Sequence, residues 1–138
     1  MPPVLCYRTY MRYTASVVAY TPPGWPIEVR PPGAPRWEDT AMTYLFDCSP
    51  PDFRAHPVLR RHPVVLARFA AQFTSGQSTT AAAGLAEVRT ALVGRVPPEV
   101  VQAAAEVWLA ESARLARTSR AVGLVEAALR GESFVPHL

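Results

Sequence analysis

The stretch PPEVVQAAAEVWLAESARLARTSRAVGLVEAALRG, residues 97–131, has no proline after its opening doublet and closes on glycine. Large apolar side chains recur along it every seven residues: Val101, Trp108, Leu115, Val122 and Leu129. A repeat of this kind is typical of a helix that packs against another helix along a coiled-coil seam. We therefore predict a long helix over 98–130, with these five residues as its candidate helix interface.

The other seam position of this helix is mostly small or polar: Ala104, Glu111, Thr118 and Val125. Small seam residues allow an antiparallel neighbour to approach closely. Val100 and Val107 flank the seam and offer a second apolar face. Because two helices alone bury little, a third helix or a second copy of the chain is expected to cover them.

The antiparallel neighbour is a second proline-free run, for which we predict a helix over 63–94. Its candidate stripe is Leu66, Phe69, Phe73, Gln77, Ala81, Leu85, Val88 and Leu92. The segment 74–84 holds two glycines and no large apolar residue, so either a continuous helix or a kink fits, and continuity is favoured. Gly94 is expected to cap this helix in the left-handed conformation before Pro97-Pro98 restarts the chain.

Twelve of the fifteen prolines lie in the first 63 residues. They predict a Pro-rich extended strap over 22–35, in which Trp25, Ile27 and Val29 turn one side to an apolar surface. A PxxP ligand at 32–35 is the alternative. A helix is expected over 35–48, and the two His-Pro pairs predict a short helix at 57–61 followed by the long one at 63.

Residues 1–21 form an N-terminal arm with four of the five tyrosines. The tyrosine spacing fits a helical stripe, whereas Thr and Val favour a short strand or a disordered tail. The arm receives no function. Residues 22–138 are assigned to a single helical domain.

Composition excludes several classes of protein. Two cysteines are too few for a disulfide framework, which favours a reducing, cytoplasmic compartment, and no stretch is apolar enough for a membrane span. All fourteen basic residues are Arg, as a high-GC genome produces, and the net charge of +3 is only mildly basic.

Six arginines are expected at the open end of the hairpin, away from the proline turn: Arg60, Arg61, Arg68, Arg117, Arg120 and Arg130. They form a candidate patch for an anion, a nucleic acid or an acidic protein partner. Neutralisation by the acidic residues of 28–52 is the favoured alternative.

No catalytic, cofactor or metal motif emerges from the chain. Cys48, Asp52, His56 and His62 have spacings that match no zinc pattern, and Cys48 on the apolar side of a helix is expected to be inert. We accordingly predict no cofactor and lean against an enzyme.

The runs Pro22-Pro23-Gly24-Trp25-Pro26 and Glu28-Val29-Arg30-Pro31-Pro32-Gly33-Ala34-Pro35, with the later run from Val58 to Phe69, resemble a family of small helical proteins from high-GC bacteria. The resemblance covers about residues 22–131. It implies a cytoplasmic bacterial protein and brings no activity.

Together these patterns predict an all-α fold: a long antiparallel helical hairpin with a shorter N-terminal helix and the strap packed on it. The favoured function is a non-enzymatic interaction or adaptor module that forms a homodimer or binds another protein. The alternative is a nucleic-acid- or anion-binding protein that uses the arginine patch. No membrane partner is expected.

Overall fold

A computed structural model describes residues 19–136. These residues form four α-helices and one 3₁₀ helix, with no β-strand among them. The elements are α1 (Trp37–Asp47), the 3₁₀ helix (Pro51–Ala55), α2 (Pro57–Arg61), α3 (Pro63–Leu92) and α4 (Pro98–Leu129). The predicted all-α fold with its long hairpin, α3 against α4, is confirmed. Residues 1–18 of the predicted N-terminal arm lie outside the described residues.

Prolines start three of the helices. The first residue is Pro57 in α2, Pro63 in α3 and Pro98 in α4. The residues before the first two, His56 and His62, have extended backbones with ψ of 114° and 93°. A proline disfavours the helical region for its predecessor while its own φ suits a first helical turn. The two His-Pro pairs are therefore successive helix starts, as predicted.

The helix α3 is unbroken for 30 residues and runs through the Gly-rich segment 74–84. It ends at the predicted turn, where Gly94 has a φ of 78° and the Arg95 amide donates to the Leu92 carbonyl at 2.9 Å. Left-handed backbone of this kind is easy for glycine and costly for other residues. The turn lets α4 pack back antiparallel along α3.

One buried cluster holds the open end of the hairpin together. It combines residues of the strap, α1, α2, α3 and α4: Val29, Ala41, Leu45, Leu59, Leu66, Ala67, Ala70, Ala71, Val122 and Val125. Four of the ten are alanines, so the helix axes can approach closely. The core therefore occupies the half of the hairpin that α1 covers.

The expected stripe on α3 is wrong at Phe69, which is exposed, whereas Phe73 is half-buried. Phe69 is 48% exposed, and both rings contact Phe53 of the 3₁₀ helix edge-on, with centroids 5.9 and 6.3 Å away. The face of α3 in the core instead carries the small residues Ala67 and Ala70, which are fully buried. Close helix packing favours small side chains at these positions, and the ring of Phe69 lies on the flank of α3.

The strap is a series of turns and not the polyproline-like extended chain that was expected. The amides of Trp25 and Ala34 donate to the carbonyls three residues earlier, and Gly24 and Gly33 have φ of 95° and 86°. A type II turn spans four residues, and it is favoured when the second is proline and the third is glycine. Both Pro-Pro-Gly motifs thus form turns, which also removes the PxxP geometry.

A further turn corrects the alternating pattern predicted for the strap. The Val29 amide donates to the Pro26 carbonyl, and Ile27, between them, is 96% exposed. Trp25 packs against the core, and its indole Nε1 donates to the Val29 carbonyl at 2.9 Å. The turn therefore keeps Trp25 and Val29 inward while it swings Ile27 into solvent.

Candidate functional site: the uncovered half of the hairpin

The helix seam is anchored by Trp108. Its indole Nε1 donates to the Ala81 carbonyl of α3 at 2.8 Å. A Cβ placed on Gly84 would lie 3.1 Å from Trp108 Cζ2, closer than most real Cβ contacts. Glycine at position 84 therefore makes room for the ring, and the two helices come together around it.

The other predicted interface residues follow the same side of α4. Val122 is fully buried, and Leu129 packs on the core cluster. Leu115 is half-buried, and Val101 lines a cavity of about 370 Å³ with residues of the turn, among them Val93. The heptad thus lies along the inside of the hairpin, with Val122 fully buried and the other four residues half-buried.

Beyond the reach of α1 the hairpin has almost no core. Residues 78–113 comprise the last part of α3, the turn and the first part of α4, and we call them the distal half. Only Ala81 and Ala105 are buried there. At the same time Val93, Val100, Val107 and Leu109 are between 45% and 70% exposed. Two helices that bury only two alanines present apolar surface that a further element would have to cover.

One heptad position of α4 shows where the cover stops: Val100, Val107, Arg114, Ala121 and Ala128. The two alanines at the open end are each 6% exposed, whereas Val100 is 45% and Val107 is 70% exposed. The larger apolar residues of this face therefore lie where the structure leaves them in solvent. An isolated hairpin would be expected to place them the other way round.

A groove opens where α1 ends. It measures about 540 Å³ and lies between α3 and α4. Its lining is Gln72, Phe73, Gly76, Gln77, Thr80, Ala81, Trp108 and Leu115. Since this lining is mainly apolar and uncharged, the groove suits the apolar side of another helix and offers no convergent catalytic groups.

A polar cleft separates α1 from this groove. Tyr44 of α1 and Cys48, the residue after its end, face Thr74 of α3 and Arg114 of α4 across a space of about 360 Å³. Burial raises the pKa of the Tyr44 phenol and of the Cys48 thiol above their usual values. Both groups therefore stay protonated at neutral pH, and Cys48 lacks the thiolate that a nucleophile needs.

The arginine patch is divided by an internal carboxylate. Glu126 of α4 is 9% exposed, and its two oxygens lie 3.4 Å from Arg68 and from Arg130. Both arginines are thus engaged within the hairpin. The acidic residues of 28–52 were expected to neutralise this patch, but the two of them that form ion pairs do so locally, Asp39 with Arg36 and Asp47 with Arg54.

The remaining arginines of the patch lie on the outside of the fold. Arg60 donates to the Arg54 carbonyl at 2.8 Å. Arg61 lies beside it on α2, whereas Arg117 and Arg120 are on α4, and all are exposed. They come from two elements that share little contact in the described structure, so the sequence patch does not become one compact anion site.

Comparison with known proteins gives no guide to this site. No protein-family model, curated protein or solved structure matches the chain. None of the described helices combines the length and the apolar character that a membrane crossing requires. Within residues 19–136 no three His, Cys, Asp or Glu side chains are placed to share a metal ion. The site must therefore be interpreted from its own geometry.

Sequence reasoning found part of the α3 side of the groove: Phe73, Gln77 and Ala81 belong to the expected stripe and line the groove, whereas Gln72, Gly76 and Thr80 were not assigned to it. Gly84 was treated as a weak point in a helix, although a glycine that faces a tryptophan on a neighbouring helix is a packing site. Gly76 was treated in the same way as Gly84, and Thr80 carried no signal, because small polar residues on a helix are common on any surface. The α4 side was more visible, since Val100 and Val107 stand out beside the heptad.

Proposed function

We propose that this protein is a non-enzymatic helical interaction module that self-associates through the distal half of its hairpin. The observation that supports this is the change along one heptad position of α4, from alanines that are 6% exposed to valines that are 45% and 70% exposed. Apolar side chains repeated on one helical face stabilise a protein only when something covers them.

A second copy answers this requirement in a simple way. Two hairpins that pack by their distal halves form a four-helix arrangement, in which each pair supplies the layer that the other lacks. A homodimer with twofold symmetry uses the same surface on both copies, so one exposed face is enough. The function of the module is then to bring together two open ends, each with α1, the strap and its exposed arginines.

Sedimentation equilibrium over a concentration series tests the proposal. We expect a monomer–dimer equilibrium with a dissociation constant in the micromolar range, because the available face is small compared with a standard interface. A compact monomer at tens of micromolar would refute self-association.

Matched substitutions locate the surface. Val107→Glu puts a charge on the uncovered face of both copies at once and should weaken the dimer at least about tenfold. Ile27→Glu makes the same chemical change at a site on the strap that is 96% exposed, and it should leave the equilibrium unchanged. Equal effects of the two variants would show that the distal half is not the interface.

A further inference from the structure

The uncovered face of α4 reads the same in both directions. Its apolar residues are Val100, Ala103, Ala104 and Val107, at the spacing i, i+3, i+4, i+7 that places them on one side of a helix. Valines stand at the two ends and alanines in the middle. Ala103 is exposed and Ala104 half-buried, so the centre of this face is accessible and small. We call these four residues the VAAV face.

We infer that two copies dock by their VAAV faces, α4 against α4, antiparallel, with the twofold axis between Ala103 and Ala104. The inference rests on the proposed function and specifies its geometry. About this axis Val100 of one copy meets Val107 of the other, and Ala103 meets Ala104. A parallel pairing would also put valine on valine, but it would bring the Glu111 residues of the two copies together and would likewise bring their Arg95 residues together, so like charges would face each other.

Small central residues set the distance between the two helices. Alanines at the contact let helix axes approach to about 8 Å, the short end of the usual range. The valines then pack on either side of the alanine contact, about 10 Å apart along each helix. The result is a short contact that buries few side chains in each copy.

Charges beyond the ends of the VAAV face fit the same register. The axis pairs residue 111 of one copy with residue 96 of the other, so Glu111 comes close to the turn of the second copy. That turn carries Arg95, which has no carboxylate within 4.0 Å in the part of the chain described. Glu111 can therefore interact with Arg95 of the second copy while it keeps its own contact with Arg114. Such a rim pair adds direction and little affinity.

Disulfide trapping tests the register on the full chain with Cys6 and Cys48 replaced by Ser. In Ala103→Cys the two substituted positions lie about 1.5 Å apart along the direction of the helices, so their thiols are within reach of a disulfide. In Ala110→Cys, one heptad further on the same side, they lie about 20 Å apart. Ile27→Cys serves as the control for random collision, because it is 96% exposed on the strap.

We expect Ala103→Cys to crosslink at least about tenfold faster than Ala110→Cys and Ile27→Cys, since the dimer raises its local thiol concentration. Sedimentation of each reduced variant runs in parallel. A dimer in which Ala110→Cys crosslinks as fast as Ala103→Cys would overturn the antiparallel register and leave self-association intact. A dimer in which neither crosslinks would also overturn the register. A monomer in sedimentation would instead overturn the proposed function.

Discussion

The contact of Gly84 with Trp108 predicts an unusual response to a substitution that normally stabilises a helix. Replacing an interior helical glycine with alanine gains about 1 kcal/mol, because alanine loses less backbone entropy on folding. At Gly84 the added Cβ would lie 3.1 Å from Trp108 Cζ2. The ring must shift, and the hydrogen bond from its Nε1 to the Ala81 carbonyl at 2.8 Å limits how far it can do so.

The magnitude follows from these two opposed terms. Overpacking a fitted contact costs about 1–3 kcal/mol. Subtracting the gain of about 1 kcal/mol leaves Gly84→Ala between neutral and about 2 kcal/mol destabilising. Gly76, eight residues earlier on the same helix, is the matched control, because a Cβ there meets nothing within 4 Å. Gly76→Ala should therefore show the full gain.

Urea unfolding followed by circular dichroism measures both variants, at one low protein concentration so that association does not contribute. A third variant isolates the cause. In a Trp108→Leu background the clash is absent, and Gly84→Ala should then stabilise by about 1 kcal/mol. If Gly84→Ala stabilises the unmodified chain as much as Gly76→Ala does, within about 0.5 kcal/mol, the proposed packing of α4 on α3 is wrong.

Three further predictions concern the open end. Arg36 has a φ of 63°, a left-handed backbone conformation that is costly for a residue with a Cβ. Arg36→Gly should therefore stabilise the fold by about 0.5–1 kcal/mol, whereas Arg36→Ala, which keeps a Cβ, should not. Urea unfolding compares the two variants, and equal effects would contradict backbone strain at this position. Replacing both Arg68 and Arg130 with Met leaves the carboxylate of Glu126 buried without a partner, which should lower the free energy of unfolding by about 3 kcal/mol. Glu126→Gln instead leaves two half-exposed arginines without their partner and should lower it by about 1 kcal/mol. The reverse order in unfolding experiments would mean that the carboxylate is not the constrained member. Burial raises the pKa of the Tyr44 phenol above that of a tyrosine in the unfolded chain, which is about 10. The stability that the protonated phenol contributes is therefore fully present below about pH 10 and is lost as the pH rises from there toward the raised pKa of the folded protein. Tyr44→Phe should therefore flatten the alkaline loss of stability, and an unchanged pH profile would exclude a buried phenol.

The helices were predictable because each carries a strong local signal. Proline fixes φ and excludes the helical region before it, so His56-Pro57 and His62-Pro63 mark helix starts from the sequence alone. The seven-residue repeat from Val101 to Leu129 similarly identifies α4 and its inner side. These signals act within a few residues, and no tertiary contact is needed to interpret them.

The strap and the Phe69 position of the α3 stripe were predicted wrongly for two different reasons. Pro23-Gly24 forms a turn only because glycine accepts a positive φ, and proline content taken as a whole conceals that pair. The position of Phe69 depends on which side of α3 comes close to α4. That side is the one that carries Ala67 and Ala70, and it is decided by packing between helices and not by the sequence of α3 alone. The opening of the groove could not be predicted either, because it exists only where α1 stops covering the hairpin, although Phe73, Trp108 and Leu115 of its lining were expected at the helix contact.

The uneven core has a consequence for the link between folding and association. Amides of α4 near Ala121 belong to the buried end and should open only with most of the fold, whereas those near Val107 belong to a helix pair held by two buried alanines and by Trp108. A partner that binds only the closed distal half stabilises it by mass action, by about 1.4 kcal/mol at ten times the dissociation constant. Hydrogen exchange near Val107 should then slow about tenfold as protein concentration rises through that range, while exchange near Ala121 changes little. Exchange near Val107 that ignores concentration would mean that the distal half stays closed without any partner, and the exposed valines would then be surface residues that nothing covers.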